Sequence, residues 1–268
     1  GAYYARRGGD LRIAVGGDIV SVPSEQLVTE WLWRWGTLEE ANLAFFAPGD
    51  QPTWWVQHDR FQQGVGVLGG GDVTVRAGGK ISNLAVVQPS MGRVQGGRTS
   101  TEARTLVVQN GGLMNVTAGG EISGGLFYAG RGEANIAAAS FTVGRTIKYT
   151  PSTDPDRANE FTLYPIAPIL ALGDSIMTVA SAGSVTIQAA LEPLMARIDS
   201  TKGAGAIGQP KWITCTERTA LNLFSTSGDI TLVNQATWLF DRVGYENVPR
   251  ALPGTLYPSQ LVIAALNG

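Results

Sequence analysis

The sequence predicts an all-β solenoid in which short strands stack along one axis, and three observations carry that prediction. The first is the stretch Gly71-Asp72-Val73-Thr74-Val75-Arg76-Ala77-Gly78-Gly79-Lys80-Ile81, in which Val73, Val75 and Ala77 alternate with Thr74 and Arg76. A period of two sends alternate side chains to opposite faces of a strand, the glycine pair turns the chain, and Ile81 restarts the inward row. The second is recurrence. Gly9-Asp10-Leu11-Arg12-Ile13 through Ile19 and Gly112-Leu113-Met114-Asn115-Val116 through Ile122 keep the apolar places, and weaker copies begin at Gly132, Gly183 and Gly228. The leading glycines are 62, 41, 20, 51 and 45 residues apart. The first three gaps are close to multiples of about 20, a spacing typical of stacked β-coils, so one coil per repeat is expected. The third is composition: glycine supplies 35 of 268 residues and charged residues only 16%, against averages of about 7% and about 25%. That balance suits a sheet-rich body with many tight turns, and 44% hydrophobic residues are ample for a core rather than for disorder.

In order along the chain, residues 1–21 read as a first coil. From Val22 to about Gln63 the alternation lapses, and 24–34 shows helical spacing, with Leu27, Trp31 and Arg34 near one face, Ser24 as N-cap and Gly36 as stop. Five of the seven tryptophans, Trp31, Trp33, Trp35, Trp54 and Trp55, fall in this 22–63 insertion with Phe45 and Phe46. A helix so aromatic needs a cover, and the side of the coil stack offers one. Repeats resume at Phe61 and run to about Phe141, with irregular loops expected at 88–104 and 124–132. Pro151 and Pro155 cannot donate ladder hydrogen bonds, so 145–165 reads as a loop excursion. Ile169-Leu170-Ala171-Leu172 and 183–189 restore strands, 192–218 is a further excursion, and 221–224, 228–233 and 260–266 supply the last strands. The domain organisation expected is a single β-helical segment over 1–268 with the aromatic helical insertion at 22–63 packed on its side.

Lysine and arginine total 20 and aspartate and glutamate 22, so no basic field exists to hold nucleic acid. Cys215 is the one cysteine, which excludes an internal disulfide and a thiolate metal cluster. No run of about 18 apolar residues is present to span a membrane as a helix. The amino end lacks the pattern of a signal peptide, and both ends read as cut from something longer.

The chain resembles the filamentous haemagglutinin-like exoproteins of bacterial two-partner secretion. The Gly-Gly-Asp-Leu-Arg-Ile and Ala-Gly-Gly-Lys-Ile blocks look like that family's coil repeat. More specific is the order Gln26-Leu27-Val28-Thr29-Glu30-Trp31-Leu32-Trp33, then Trp54-Trp55-Val56, then 61–71, which is similar to a region toward the carboxyl-terminal part of many such exoproteins. Leu126-Phe127-Tyr128-Ala129-Gly130-Arg131-Gly132, Leu170-Ala171-Leu172-Gly173-Asp174 and Leu256-Tyr257-Pro258-Ser259-Gln260-Leu261 continue the likeness over essentially the whole chain. The resemblance implies a right-handed parallel β-helix, secreted or held at the bacterial cell surface, exported through an outer-membrane partner transporter and displayed or shed as adhesin or fibre. The family's amino-terminal secretion domain carries Asn-Pro-Asn motifs and none occurs here, so the piece corresponds to passenger.

Candidate chemistry is sparse. The Gly-x-Gly-x-x-Gly runs at 64–69 and 203–208 lack the following helix that a pyrophosphate needs and read as turns. His58, the single histidine, has no nucleophile elbow to serve and reads as a loop or interface residue. Cys215 reads as a small packed residue. Asp10, Asp72, Asp174 and Asp229 each follow a glycine at one place in the repeat, so that several could rise in a column on one side. Turn closure onto their own backbone is the favoured role, with a calcium site or a catalytic pair as the alternatives. Trp31, Trp33, Trp54 and Trp55 are the residues expected to contact a ligand or partner, by stacking on sugar rings or anchoring protein, if flank packing does not absorb them. No catalytic, cofactor or metal set is expected, and no enzyme. The function expected is a structural and adhesive segment that continues at both β-helix ends into other copies or a longer chain, with host or neighbour-cell glycans as further partners. The alternative is a β-helical protein that binds or cleaves polysaccharide.

Overall fold

The computed structural model describes residues 8–24, 26, 28–35, 53–96, 104–149, 162–195, 213–234 and 257–268. They are mostly β-strand, arranged as two large parallel sheets, one antiparallel sheet and one antiparallel hairpin. Among the described residues only short 3-10 turns interrupt the strands, and no helix is long and apolar enough to cross a membrane.

The repeats align in register along the larger sheet. Leu11 pairs with Val73, Val73 with Met114, Met114 with Ala134, Ala134 with Met177, Met177 with Leu221 and Leu221 with Leu261, every ladder parallel. Side chains of the alternating row that begins at these residues pack inward: Val73, Val75, Met114, Val116, Ala134, Met177, Val179, Leu221 and Leu223 are fully buried. Each such valine, leucine or methionine side chain contributes about 1.5–3 kcal/mol when taken from water. The second parallel sheet stacks Ile19, Ile81, Ile122, Phe141, Val185 and Ile230 in one column. All six belong to the same apolar cluster as the first rows.

Met114 to Ala134 shows the shortest circuit. Gly112–Ala118 lies in the large sheet, Glu121–Ser123 in the second, and Leu126–Ala138 returns to the large sheet. That last strand serves two rows. Its first part, 126–129, pairs with Ala85–Gln88 and with 169–172, and its second part pairs with Gly112–Ala118 and with 174–181. One ladder pair is missing where Gly130 and Gly173 lie side by side, the register continuing unshifted from Ala129 and Leu172 to Arg131 and Asp174, and a Cβ on Gly173 would run into the Gly130 carbonyl. The large sheet therefore has an outer row (65–66, 85–88, 126–129, 169–172, 189–191) beside the row of sequence repeats.

Four of the longer circuits carry their extra residues at one of the two corners flanking this outer row. Residues 22–63 and 145–166 enter before it, and 89–109 and 192–218 leave after it. The excursions cover the row from outside. Ala85, Val87, Leu126, Tyr128, Ile169, Ala171 and Ala189 pack against Val28, Trp31, Leu32, Trp54, Val56, Met91, Ile166 and Leu194. Strands buried on both faces read as continuous apolar runs rather than alternating ones, as in Ala85-Val86-Val87 and Leu170-Ala171-Leu172.

Several expectations change. The stretch 24–34 is not a helix: Val28–Glu30 is a single 3-10 turn, and Leu32–Trp35 is a strand antiparallel to Thr53–Val56. Tryptophan favours strands, and the cross-strand pairs Leu32 with Val56 and Trp33 with Trp55 satisfy the alternation that helical spacing obscured. Glu25, Leu27, Gly36, Phe45 and Phe46 lie outside the described residues. The loops expected at 88–104 and 145–165 are antiparallel hairpins where described, Met91–Gly96 with Arg104–Gln109 and Arg145–Tyr149 with Thr162–Ile166. The copies at Gly183 and Gly228 belong to the second sheet, where Val185 pairs with Ile230. The circuits that continue the large sheet there are 174–181 and Ala220–Ser225.

The glycine pairs stack rather than adopt an unusual conformation. Gly78 N–H donates to Val15 O (2.9 Å) and Gly119 N–H to Ala77 O (3.0 Å), and a Cβ on Gly119 would meet the Gly78 carbonyl. Phe127, fully buried in the inner column of the outer row, should on replacement by alanine lower unfolding free energy by about 3–5 kcal/mol. The exposed Thr117→Ala should change it by less than about 0.5 kcal/mol, both read by denaturant melts.

Candidate functional site

The tryptophans predicted as contacts separate into two pairs. Trp31 and Trp54 are 0% and 1% exposed, so neither presents a ring face to a sugar. Trp31 sits edge-on to Phe61 at 5.2 Å and near Tyr128 at 6.2 Å. Its indole N–H donates to Gln63 Oε1 (2.8 Å), and Gln63 Nε2 donates in turn to Gln26 O (2.6 Å). Trp54 donates to Ser90 Oγ (3.3 Å) and lies over Gly92, where an added Cβ would collide with the indole. Trp33 and Trp55 are half-buried and face one another across the antiparallel sheet, centroids 6.5 Å apart and planes 55° apart. These four residues thus build the sheet of Leu32–Trp35, Thr53–Val56, Met91–Gly96 and Arg104–Gln109 that lies on the outer row.

The aspartates do not form one column. Asp10 Oδ1 accepts the Asp72 N–H (2.9 Å) and Asp72 Oδ1 accepts the Leu113 N–H (2.9 Å), so each carboxylate caps the next coil rather than its own turn. Asp18 does the same for the Lys80 N–H (2.8 Å). Asp174 stands beside Arg131, not at the level of Asp72, and Asp229 leads into the second sheet. Among the described residues no three of His, Cys, Asp and Glu converge on a point where a cation would sit. His58 is exposed in a 3-10 turn, Val65–Gly66 of the first glycine-rich run is a strand paired with 86–87, and the second run lies outside the described residues.

Among the described residues, one buried cluster of polar groups is one that sequence reasoning missed. Glu192, 2% exposed, follows the Ala189–Leu191 strand and precedes the Pro193–Met195 turn. Its Oε1 accepts the Leu194 N–H (3.3 Å), and its Oε2 accepts the Thr214 N–H (3.3 Å), the Thr214 hydroxyl (2.8 Å) and the Cys215 thiol (3.7 Å). Arg34, 1% exposed, reaches the same turn from the antiparallel sheet and donates Nη1 to Leu194 O (2.7 Å) and Pro193 O (3.4 Å). Burial pushes the Glu192 carboxyl up to about 7, with the donors from Thr214, Leu194 and Cys215 working in the other direction. Burial likewise brings Arg34 down to about 10, opposed by the charge of Glu192. Tyr128, beneath them, is pushed well up by burial and by Glu192.

Cys215 belongs to this cluster and is chemically quiet. Burial first, then the charge of Glu192, push its thiol up to about 12, the reverse of what a nucleophilic cysteine requires. Glu192 is as inaccessible as a core residue, so a glycosidic oxygen has no approach to it. The one trace of this site in the sequence is Arg34 itself, a cation on the Leu32 side of an aromatic strand. Its contact with Leu194 lies 160 residues away.

No protein-family model, no curated protein and no solved structure matches the chain. The class that the geometry defines is an all-β protein of large parallel sheets whose one outer row is covered by excursions. At pH 7 iodoacetamide should alkylate Cys215 at least about tenfold more slowly than a free cysteine, whose thiol is near 8.5; a rate equal to that of the free amino acid would contradict the half-buried placement beside Glu192. Gly92→Ala should cost about 1–3 kcal/mol by overpacking, with the near-ultraviolet circular dichroism of the tryptophans changing in step.

Proposed function

We propose that the chain is a right-handed parallel β-helix serving as a structural and adhesive segment of an exported bacterial surface protein of the filamentous haemagglutinin-like type. In this reading it passes an outer-membrane partner transporter through a region outside this chain, acts at the cell surface or after release, and performs no catalysis. The observation that carries the reading is the unbroken parallel register from Leu11 through Val73, Met114, Ala134, Met177 and Leu221 to Leu261. A ladder of that kind makes a stiff body whose parts touch only their neighbours in the stack. Stacking also supports continuation. Among the described residues the stack is bounded by Leu11–Val15 and Gln260–Ala265, and on the latter Leu261, Val262 and Ile263 are 40%, 46% and 45% exposed. An apolar edge strand is a template for another strand, whether from a longer polypeptide or a second copy.

A polysaccharide-cleaving role draws less support, because Glu192 is sealed and Asp174 is engaged by the Thr216 hydroxyl (2.6 Å) and lies 3.7 Å from Arg218. Light scattering on the purified chain should show mass rising with concentration, and Ile263→Lys should return it to 28.3 kDa by placing a charge on the open edge. A monomer at every soluble concentration, unaltered by Ile263→Lys, would count against end-to-end assembly.

A further inference from the structure

Among the described residues the two parallel sheets end level on one side of the stack and stepped on the other. Leu11–Val15 and Ile19–Val20, successive strands of one circuit, bound both sheets at the first end. At the opposite end the second sheet stops at Ile230–Leu232, whereas the large sheet goes one rung further, to Gln260–Ala265. The step leaves Leu261 and Ile263, 40% and 45% exposed, standing beyond the partly buried Ile230 and Leu232 of the other sheet. The geometry points to a closed dimer in which the stepped ends of two copies interlock about a two-fold axis, the 260–265 strand of each seating on the Ile230–Leu232 edge of the other. The dimer rests on the same open edge that supports end-to-end assembly, and it names the occupant as a second copy and the interface as isologous.

A half-circuit step is its own complement. The 260–265 strand runs toward the 266–268 corner, and Ile230–Leu232 runs away from the 226–228 corner beneath it. A two-fold axis through that corner exchanges the two sheets, so each projecting strand takes the next rung of the other copy's second sheet and meets Ile230–Leu232 antiparallel. The exchange keeps inward residues inward, because both sheets face one core. Leu261 and Ile263, which continue the columns of Leu221 and Leu223, then cover the partner subunit's Ile230 and the partner subunit's Leu232. Head-to-tail stacking fits the step less well. Seating Leu11–Val15 of a second copy on 260–265 would hold its Ile19–Val20 one rung away from Ile230–Leu232, since those two strands belong to one circuit. The chemistry of the edge agrees with an apolar occupant. Residues 230–234 and 257–268 contain no charged side chain, the nearest charge, Asp229, lying ahead of the strand. Neither edge thus carries the lysine or inward charge with which exposed strands are protected. Ser259, Gln260 and Asn267 donate back to the carbonyls of Thr216, Glu217 and Thr226 rather than across the free edge.

Light scattering of the whole chain over a concentration series, together with paired cysteines, tests the dimer. Mass should level off at twice 28.3 kDa instead of climbing further, because an isologous contact closes. In a Cys215→Ser background, a chain carrying Thr231→Cys mixed with one carrying Val262→Cys should form a disulfide-linked pair under oxidising conditions, both positions being exposed. A mixture of Arg12→Cys with Val262→Cys, the pair that head-to-tail stacking would bring together, should stay unlinked. A mass that keeps rising, or linkage of Arg12→Cys to Val262→Cys in place of Thr231→Cys, overturns the two-fold dimer and leaves end-to-end stacking standing. A monomer at every soluble concentration overturns both. If Cys215→Ser does not fold, the plateau in mass of the unaltered chain decides by itself.

Discussion

The structure depends on axial registration: each inward side chain must sit directly over its counterpart in the next circuit. Ile13, Val75, Val116, Ile136, Val179, Leu223 and Ile263 make one such column, and the parallel ladders fix it residue by residue. A slip of one residue would turn every buried valine and leucine outward. The corners are bound by the same requirement. The backbone of Gly119 lies on that of Gly78, closer than any side chain permits, and Asp10, Asp18 and Asp72 each cap an N–H of the following circuit. Turns and strands therefore repeat at one spacing, and disturbance at a corner is transmitted to the column beside it.

Registration of the columns constrains where extra chain can go. An insertion within a strand would break the ladder, whereas one at a corner leaves it intact, and the excursions at 22–63, 89–109, 145–166 and 192–218 use the two corners beside a single row. That row consequently faces protein on both sides. Its inner residues, Val86, Phe127 and Leu170, join the central core, and its outer residues, Ala85, Tyr128 and Ala171, join a second core roofed by Trp31 and Trp54. Trp31 and Trp54 are explained by this geometry, since large flat side chains cover a pleated sheet with few ordered groups.

Covering a sheet with separate excursions creates seams, and polar groups collect at seams because backbone leaving a strand needs partners. Glu192 and Arg34 answer that need at the Pro193–Met195 turn, one accepting the Leu194 N–H and the other taking carbonyls of Pro193 and Leu194. Their full burial makes the junction specific.

Alternation within Leu11–Val15, Val73–Ala77 and Gly112–Ala118, with the glycine pairs that follow, was sufficient in the sequence to define the repeat, its register and its inward residues, because one buried and one exposed face write a period of two. The outer row escaped that reading: Leu126-Phe127-Tyr128-Ala129 is buried on both faces and carries no period. The helical spacing of 24–34 misled for a related reason, since the covering strand Leu32–Trp35 takes its form from Thr53–Val56 and the row beneath, which local spacing does not encode. Only the tertiary structure decided that Gly183 and Gly228 precede strands of the second sheet, that the aspartates cap neighbouring circuits, and that Arg34 meets the turn beside Glu192. Each depends on how many residues every excursion adds before the chain returns, and that length shifts partners in space without marking the residues that meet.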